Sequence, residues 1–236
     1  MSFADCSSNY SRIKWVSSFQ ELVDTPFADG INALCWQRTL PGDFGEVVRL
    51  LGPSEDVTPI DETRLRTLPV SEAGRVAVEI LHEDLRTLQD HGAAPVLNCF
   101  LAYPRDDEPQ VVATDVYSFH ADRAPVEADT FLCTYHGASS EGLRNEDAQR
   151  YVDLPETHAE LLKLFGGADG EEFRQFLAEN CYDLHYAAAP GAQPFSFGVG
   201  NLWRIATEWP GSPVPPCIHR APPTLPGQPA RLLLIC

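Results

Sequence analysis

Positive charge is scarce in this chain. Its 236 residues hold 17 Lys and Arg against 34 Asp and Glu, a formal net charge of −17, with a pI near 4.6. A field of that sign repels phosphate backbones and anionic lipid surfaces, so neither nucleic acid nor a membrane is expected as a partner. It leaves room for a local basic pocket and does not disfavour a small molecule. Long apolar runs are missing too. No stretch approaches the ~18 uninterrupted apolar residues of a membrane-spanning helix, and Met1 to Asp5 shows neither the basic flank nor the apolar run of an export signal. The seven cysteines, at 6, 35, 99, 133, 181, 217 and 236, include no CxxC pair. An odd, scattered set inside apolar runs such as 97–101 and 131–135 reads as reduced, buried thiols. The expectation is a cytoplasmic protein with no obligatory protein partner.

What is present is ordinary for a globular domain: 44% hydrophobic and 22% charged residues. The length suits one domain able to bury roughly 70–75% of its unfolded surface without staples. A short helix is expected over 44–51, with Asp43 as its N-cap. The clearest helix runs over 71–89, where Ala73, Val76, Ala77, Ile80, Leu81, Leu85 and Leu88 recur at three- and four-residue steps. Ser71 can cap its start, and Gly92 stands where helices stop. The period then changes. Residues 94–103 and 110–120 are rich in β-branched and aromatic residues and flank a charged turn, which predicts two neighbouring strands. Further strands are expected over 130–136, 182–187, 198–207 and 231–236, and helices over 155–165 and 170–181. The acidic cluster 141–147 reads as a solvated loop and a candidate lid. The Pro-rich stretches 210–216 and 222–229 read as rigid loop walls. There is no internal repeat. The fold class expected is α+β in one domain, 1–236. About 1–92 form a mainly helical N-terminal elaboration, and about 93–236 a β core of sandwich or barrel type.

His120-Ala121-Asp122 sits at the end of an expected strand. Residues i and i+2 of an extended chain point to one side, so both side chains can converge on one ion. A third ligand must come from elsewhere, and His219, just ahead of the last strand, is the candidate. Two imidazoles and one carboxylate on one face leave three octahedral positions open. That set suits Fe(II), which must hold a co-substrate and O2 together. An HxD triplet alone is common; the ordered set is more specific, because Arg231 follows His219 by twelve residues at the head of the final strand.

The run His120-Ala121-Asp122, His219 and Arg231 resembles the Fe(II)/2-oxoglutarate-dependent dioxygenase superfamily. So do the Gly-led segment 198–205 before the distal His and the His219-Arg220-Ala221-Pro222 run. The runs 119–122 and 132–135 also resemble bacterial members of an uncharacterised domain family within or near that fold. The likeness spans roughly residues 94–236. It implies a double-stranded β-helix (a cupin-like jelly-roll barrel) with flanking helices, iron held by His120, Asp122 and His219, and 2-oxoglutarate and O2 as co-substrates. The distal carboxylate of 2-oxoglutarate needs a fixed cation, and a guanidinium matches two oxygens. Arg231 fills that role, with Arg220 in reserve and Arg204 a third option. Thr134 or Tyr135 would supply a hydroxyl. An Asp as second ligand frees no site for chloride, so the resemblance implies hydroxylation or a related oxidation of a small molecule, with amino acids and metabolic intermediates as the residual class. No catalytic residue beyond the ligands is assigned.

Two rival functions keep the same ligands. One is an iron oxygenase or oxidase of the same fold that does not use 2-oxoglutarate, which makes Arg231 incidental. The other is a non-oxidative cupin-like metal protein, though such proteins favour an HxH pair that this chain lacks. Of the other histidines, His136 and His185 can approach the site; His82 and His91 read as solvated, and His158 as a helix-face residue.

Overall fold

Alternation along the strands explains how the layers of this protein are stacked. The computed structural model describes residues 10–53, 57–105 and 110–236. Thirteen strands lie among them: β1 (Ile13–Val16), β2 (Ala33–Trp36), β3 (Thr58–Pro59), β4 (Val96–Phe100), β5 (Phe119–His120), β6 (Asp129–His136), β7 (Glu141–Leu143), β8 (Ala148–Arg150), β9 (His185–Ala188), β10 (Phe195–Ser196), β11 (Leu202–Ala206), β12 (Ile218–Arg220) and β13 (Arg231–Ile235). They form a seven-stranded sheet, β1-β2-β11-β6-β13-β4-β3, and a six-stranded sheet, β10-β7-β12-β5-β9-β8. All pairings are antiparallel except β1 with β2.

In the large sheet, Leu34, Phe131, Cys133, Tyr135, Leu202, Leu232 and Leu234 bury one face in a core completed by helix residues, among them Leu22, Val47, Leu81 and Leu88. Their neighbours Ala33, Cys35, Leu132, Trp203 and Ile205 bury the other face against Phe195, Phe197 and Cys217 of the small-sheet side. Period-two side chains divided between two apolar cores are what a central sheet covered on both faces requires. The arrangement is α+β, with the N-terminal helices on one side of the large sheet and the small sheet on the other, consistent with a β-sandwich.

The helices are α1 (Phe19–Asp24), α2 (Phe44–Leu51), α3 (Glu62–Arg66), α4 (Glu72–Asp90), α5 (Pro155–Phe165) and α6 (Glu171–Glu179). Asp43 and Ser71 cap α2 and α4 by accepting from Glu46 N and Gly74 N, so both expected caps are present. Arg38 and Asp84 tie α4 to the large sheet through a buried ion pair of 2.7 Å. Asp84 also accepts from the Tyr135 hydroxyl at 2.6 Å. No helix among the described residues is long and apolar enough to cross a membrane.

Three expectations change. Residues 94–103 and 110–120 do not neighbour one another: β4 lies in the large sheet, and only Phe119–His120 of the second run is a strand, in the small sheet. The Asp115 carboxylate accepts from Tyr117 N and Ser118 N, which turns the backbone where alternation had implied extension. Part of the expected turn, 106–109, lies outside the described residues. Second, the acidic cluster is not a solvated loop. Glu141–Leu143 is β7, and Glu141 is anchored by Arg220 at 2.7 Å. Third, the first ninety-two residues contribute strands as well as helices, since β1, β2 and β3 extend the large sheet at its two edges.

Candidate metal centre

The small sheet places a row of histidines across neighbouring strands. His219 of β12 stands directly opposite His120 of β5, which stands opposite His185 of β9. Directly opposed residues of an antiparallel pair share a face. This face looks toward the large sheet, because Cys217, two residues before His219, belongs to the core between the sheets. Asp122 follows His120 by two and joins the same side. Ligand atoms of His120, Asp122 and His219 all lie within 4.8 Å of one another. His219 Nε2 is 3.7 Å from Asp122 Oδ2, and the two histidine rings are 4.6 Å apart between centroids.

Both ligand rings are held by their own strands. His120 Nδ1 lies 2.8 Å from Ser118 O, and His219 Nδ1 lies 3.2 Å from Cys217 O. A proton on each Nδ1 leaves Nε2 as the free lone pair for an ion, the orientation that metal-binding imidazoles usually take from a backbone partner. The Thr130 hydroxyl crosses from the large sheet to donate to Asp122 Oδ2 at 2.6 Å. Burial, then the charge of neighbouring His219, pushes the His120 imidazole down to about 4. Burial alone would raise the Asp122 carboxyl, but His219, the Thr130 hydroxyl and His120 together hold it below the usual value. A neutral His120 and an ionised Asp122 are the protonation states a divalent cation needs of them. The donor set fits a first-row metal with open positions.

The three candidate arginines separate cleanly. Arg231 lies on the inward face of β13 and is 6% exposed. It donates to Ser140 Oγ at 3.2 Å and lies near the rings of Phe100 and Tyr103. No carboxylate among the described residues pairs with it, and its buried Nε has no partner. Burial, opposed by Tyr103 and Tyr117, lowers the affinity of this guanidinium for its proton. Arg220 points to the other face of the small sheet, where it pairs with Glu141 and covers the Phe119 ring. Arg204 is bound to Asp129 at 2.6 Å and to the carbonyls of Leu22, Val23 and Thr25.

Of the two hydroxyl candidates, Thr134 is buried, opposite Leu233 of β13, while Tyr135 is turned to the helix side and spent on Asp84. His136 is also turned that way, its ring beside Gly45 of α2, and does not join the triad. His185 does lie beside it, stacked on His120 at 5.6 Å with its Nδ1 2.8 Å from Cys181 O. Sequence reading missed Thr130 altogether. A lone threonine on an apolar strand carries no spacing signal; only the facing of the two sheets brings it to Asp122.

A cavity of about 270 Å3 opens onto His120 and Asp122, walled by Asp115, Val116, Arg123, Leu184 and His185 among others. Larger surface clefts exist, such as one of about 530 Å3 around His82, but they lie away from the triad. Comparison with protein-family models, curated proteins and solved structures finds no match to this chain.

Proposed function

We propose that this protein is a non-haem Fe(II)- and 2-oxoglutarate-dependent oxygenase acting on a small molecule, built on a double-stranded β-helix. The observation that carries the reading is Arg231: a buried guanidinium with an unpartnered Nε and, among the described residues, no carboxylate partner. An unpaired buried charge costs several kcal/mol, so a structure that keeps one is arranged for an anion supplied from outside. A dicarboxylic acid that reaches the triad with one end and Arg231 with the other meets both demands.

The strand order supports the fold. With β4, β5, β6, β7, β10, β11, β12 and β13 numbered one to eight, four consecutive strands of each sheet run six-three-eight-one and five-four-seven-two. That order supports the reading of a jelly-roll interleaving of two four-stranded sheets. The ligands then fall on or just after the second strand and on the seventh, adjacent in the small sheet.

His120, Asp122 and His219 would hold the iron, which when bound supplies the reactivity toward O2 that no side chain possesses. Thr130 orients Asp122, and the backbone carbonyls of Ser118 and Cys217 set the two imidazoles. Arg231 fixes the far carboxylate, and Phe100 and Tyr103 keep water from its guanidinium face. Burial of the guanidinium keeps that charge pairing in a low-dielectric setting, where it is strongest.

The test is succinate formation during aerobic incubation with Fe(II) and 2-oxoglutarate, run beside iron titration. One Fe(II) per chain is expected, lost or nearly lost in His120→Ala, Asp122→Ala and His219→Ala. Arg231→Ala should keep the iron and raise the KM for 2-oxoglutarate by about 10²–10³ or more, the penalty for breaking a buried charged pair. Arg231→Lys should be milder. Full iron affinity in His219→Ala removes that ligand. Iron binding with no dependence on 2-oxoglutarate hands the site to an oxygenase or oxidase that does not use it.

A further inference from the structure

The cavity beside His120 and Asp122 gives a second small molecule a way to reach the triad. At about 270 Å3 it falls just under the range of pockets that hold drug-sized ligands, about 300–1,000 Å3. Its occupant is therefore no bigger than a compact metabolite.

The charges in its wall do not balance. Arg123 contributes a guanidinium, but that group is bound to the Asp183 carboxylate and to Ala178 O at 3.2 Å. His120 and Asp122 are committed to the metal. Asp115 remains. Its Oδ1 accepts from Tyr117 N at 3.0 Å and Ser118 N at 3.1 Å, while its Oδ2 has no partner among the described residues. The rest of the wall is apolar in part, with Val116, Ala121 and Leu184. One half-free carboxylate over an apolar wall is a receptor for an organic cation on a short aliphatic chain.

We propose that this cavity is the substrate site and that it takes a small aliphatic amine in its protonated form, with the ammonium group on Asp115 Oδ2 and the chain lying along Val116 and Leu184 toward the triad. The inference rests on the triad being the reacting centre. The acidic protein surface works in the same direction, since it raises the local concentration of cations and lowers that of anions.

Three probes of matched length separate the charge from the chain: n-butylammonium, 1-butanol and butyrate. Binding is followed by ligand-observed NMR on the full-length protein, as purified and with Zn(II) added as a diamagnetic occupant of the triad. Butylammonium should bind and the other two should not. Asp115→Asn keeps an oxygen for the Tyr117 and Ser118 amides but removes the charge. It should weaken butylammonium about ten- to hundredfold, the usual worth of a hydrogen bond to a charged group. Glu62→Gln, in the remote cleft near His82, controls for general attraction to an acidic surface and should change nothing. Circular dichroism of both variants shows whether the fold is kept; if Asp115→Asn is unfolded, Arg123→Glu, which adds negative charge at the same rim, should instead tighten butylammonium.

Equal binding to wild type and Asp115→Asn overturns the proposal, as does preference for butyrate or no binding of any probe. Because the readout needs neither iron nor 2-oxoglutarate, the two readings fail separately. Asp115-dependent binding without succinate production leaves this site standing and sinks the oxygenase. Succinate production with no preference for the cation does the reverse.

Discussion

Thr130 and Arg231 show how differently single side chains come to matter here. Both stand on the inward face of the large sheet, yet Thr130 reaches across to Asp122 of the opposite side while Arg231 has no carboxylate partner among the described residues. The Thr130 hydroxyl is the sole side-chain donor to Asp122 among the described residues, at 2.6 Å. Thr130→Val keeps the shape and the β-branch that suit a strand. It should leave the fold intact and reduce metal affinity about 10–100-fold, the usual effect of losing a hydrogen bond to a metal ligand. A metal titration of the variant, beside wild type, measures this directly. Unchanged affinity would mean that Asp122 is held by its backbone alone.

At the scale of elements, α2 and α4 are joined end to side by one carboxylate. Glu46 of α2 accepts from the Ser71 hydroxyl at 2.6 Å and from Ser71 N at 3.0 Å, while Ser71 Oγ accepts from Gly74 N. The Ser71 hydroxyl, then its amide, hold the Glu46 carboxyl below its ordinary value of 4.5. For a depressed carboxyl, the unfolded chain takes up the proton first as pH falls. Its stabilising contribution is therefore complete above about pH 4.5 and is lost as pH falls through the lower folded value. The stability gap between wild type and Glu46→Gln should be constant from pH 7 to 5 and close below 4.5. Urea denaturation at each pH reads it; a gap that widens in acid would refute the linkage. Helix periodicity and caps are local, which is why 44–51 and 71–89 were legible in the sequence nearly to the residue. The run 110–120 was not legible, because the Asp115 turn competes locally with extension and its outcome depends on neighbours such as Tyr103, bonded to Tyr117.

Across the whole molecule the imbalance of charge acts on stability as well as on partners. A net charge of −17 repels itself in the compact state. Raising salt from about 0.01 to 0.15 M shortens the screening length from about 30 to 8 Å and should raise the melting temperature. A shift of about 2–4 °C corresponds to roughly 1 kcal/mol for a chain of this size. The surface ion pairs, such as Arg174–Glu171, are also screened but contribute little individually. Thermal denaturation in NaCl with a chelator present checks the sign. A fall in melting temperature would show that specific pairs outweigh the net repulsion.

By itself the sequence determined the scarcity of positive charge, the helices with their caps, the α+β class, and the spacing that singles out His120, Asp122, His219 and Arg231. These follow from local periodicity, from turn chemistry and from residue types that have few other uses in such an order. Only the tertiary structure decided that His219 stands opposite His120, that Arg231 is buried with no carboxylate partner among the described residues while Arg220 and Arg204 are already paired, that Thr130 donates to Asp122, and that Asp115 lines the cavity beside it. Each of those depends on which face of a strand meets which other strand across the sheets. Pairing register between distant segments is set by the burial of all the strands together, and no single stretch of sequence contains it.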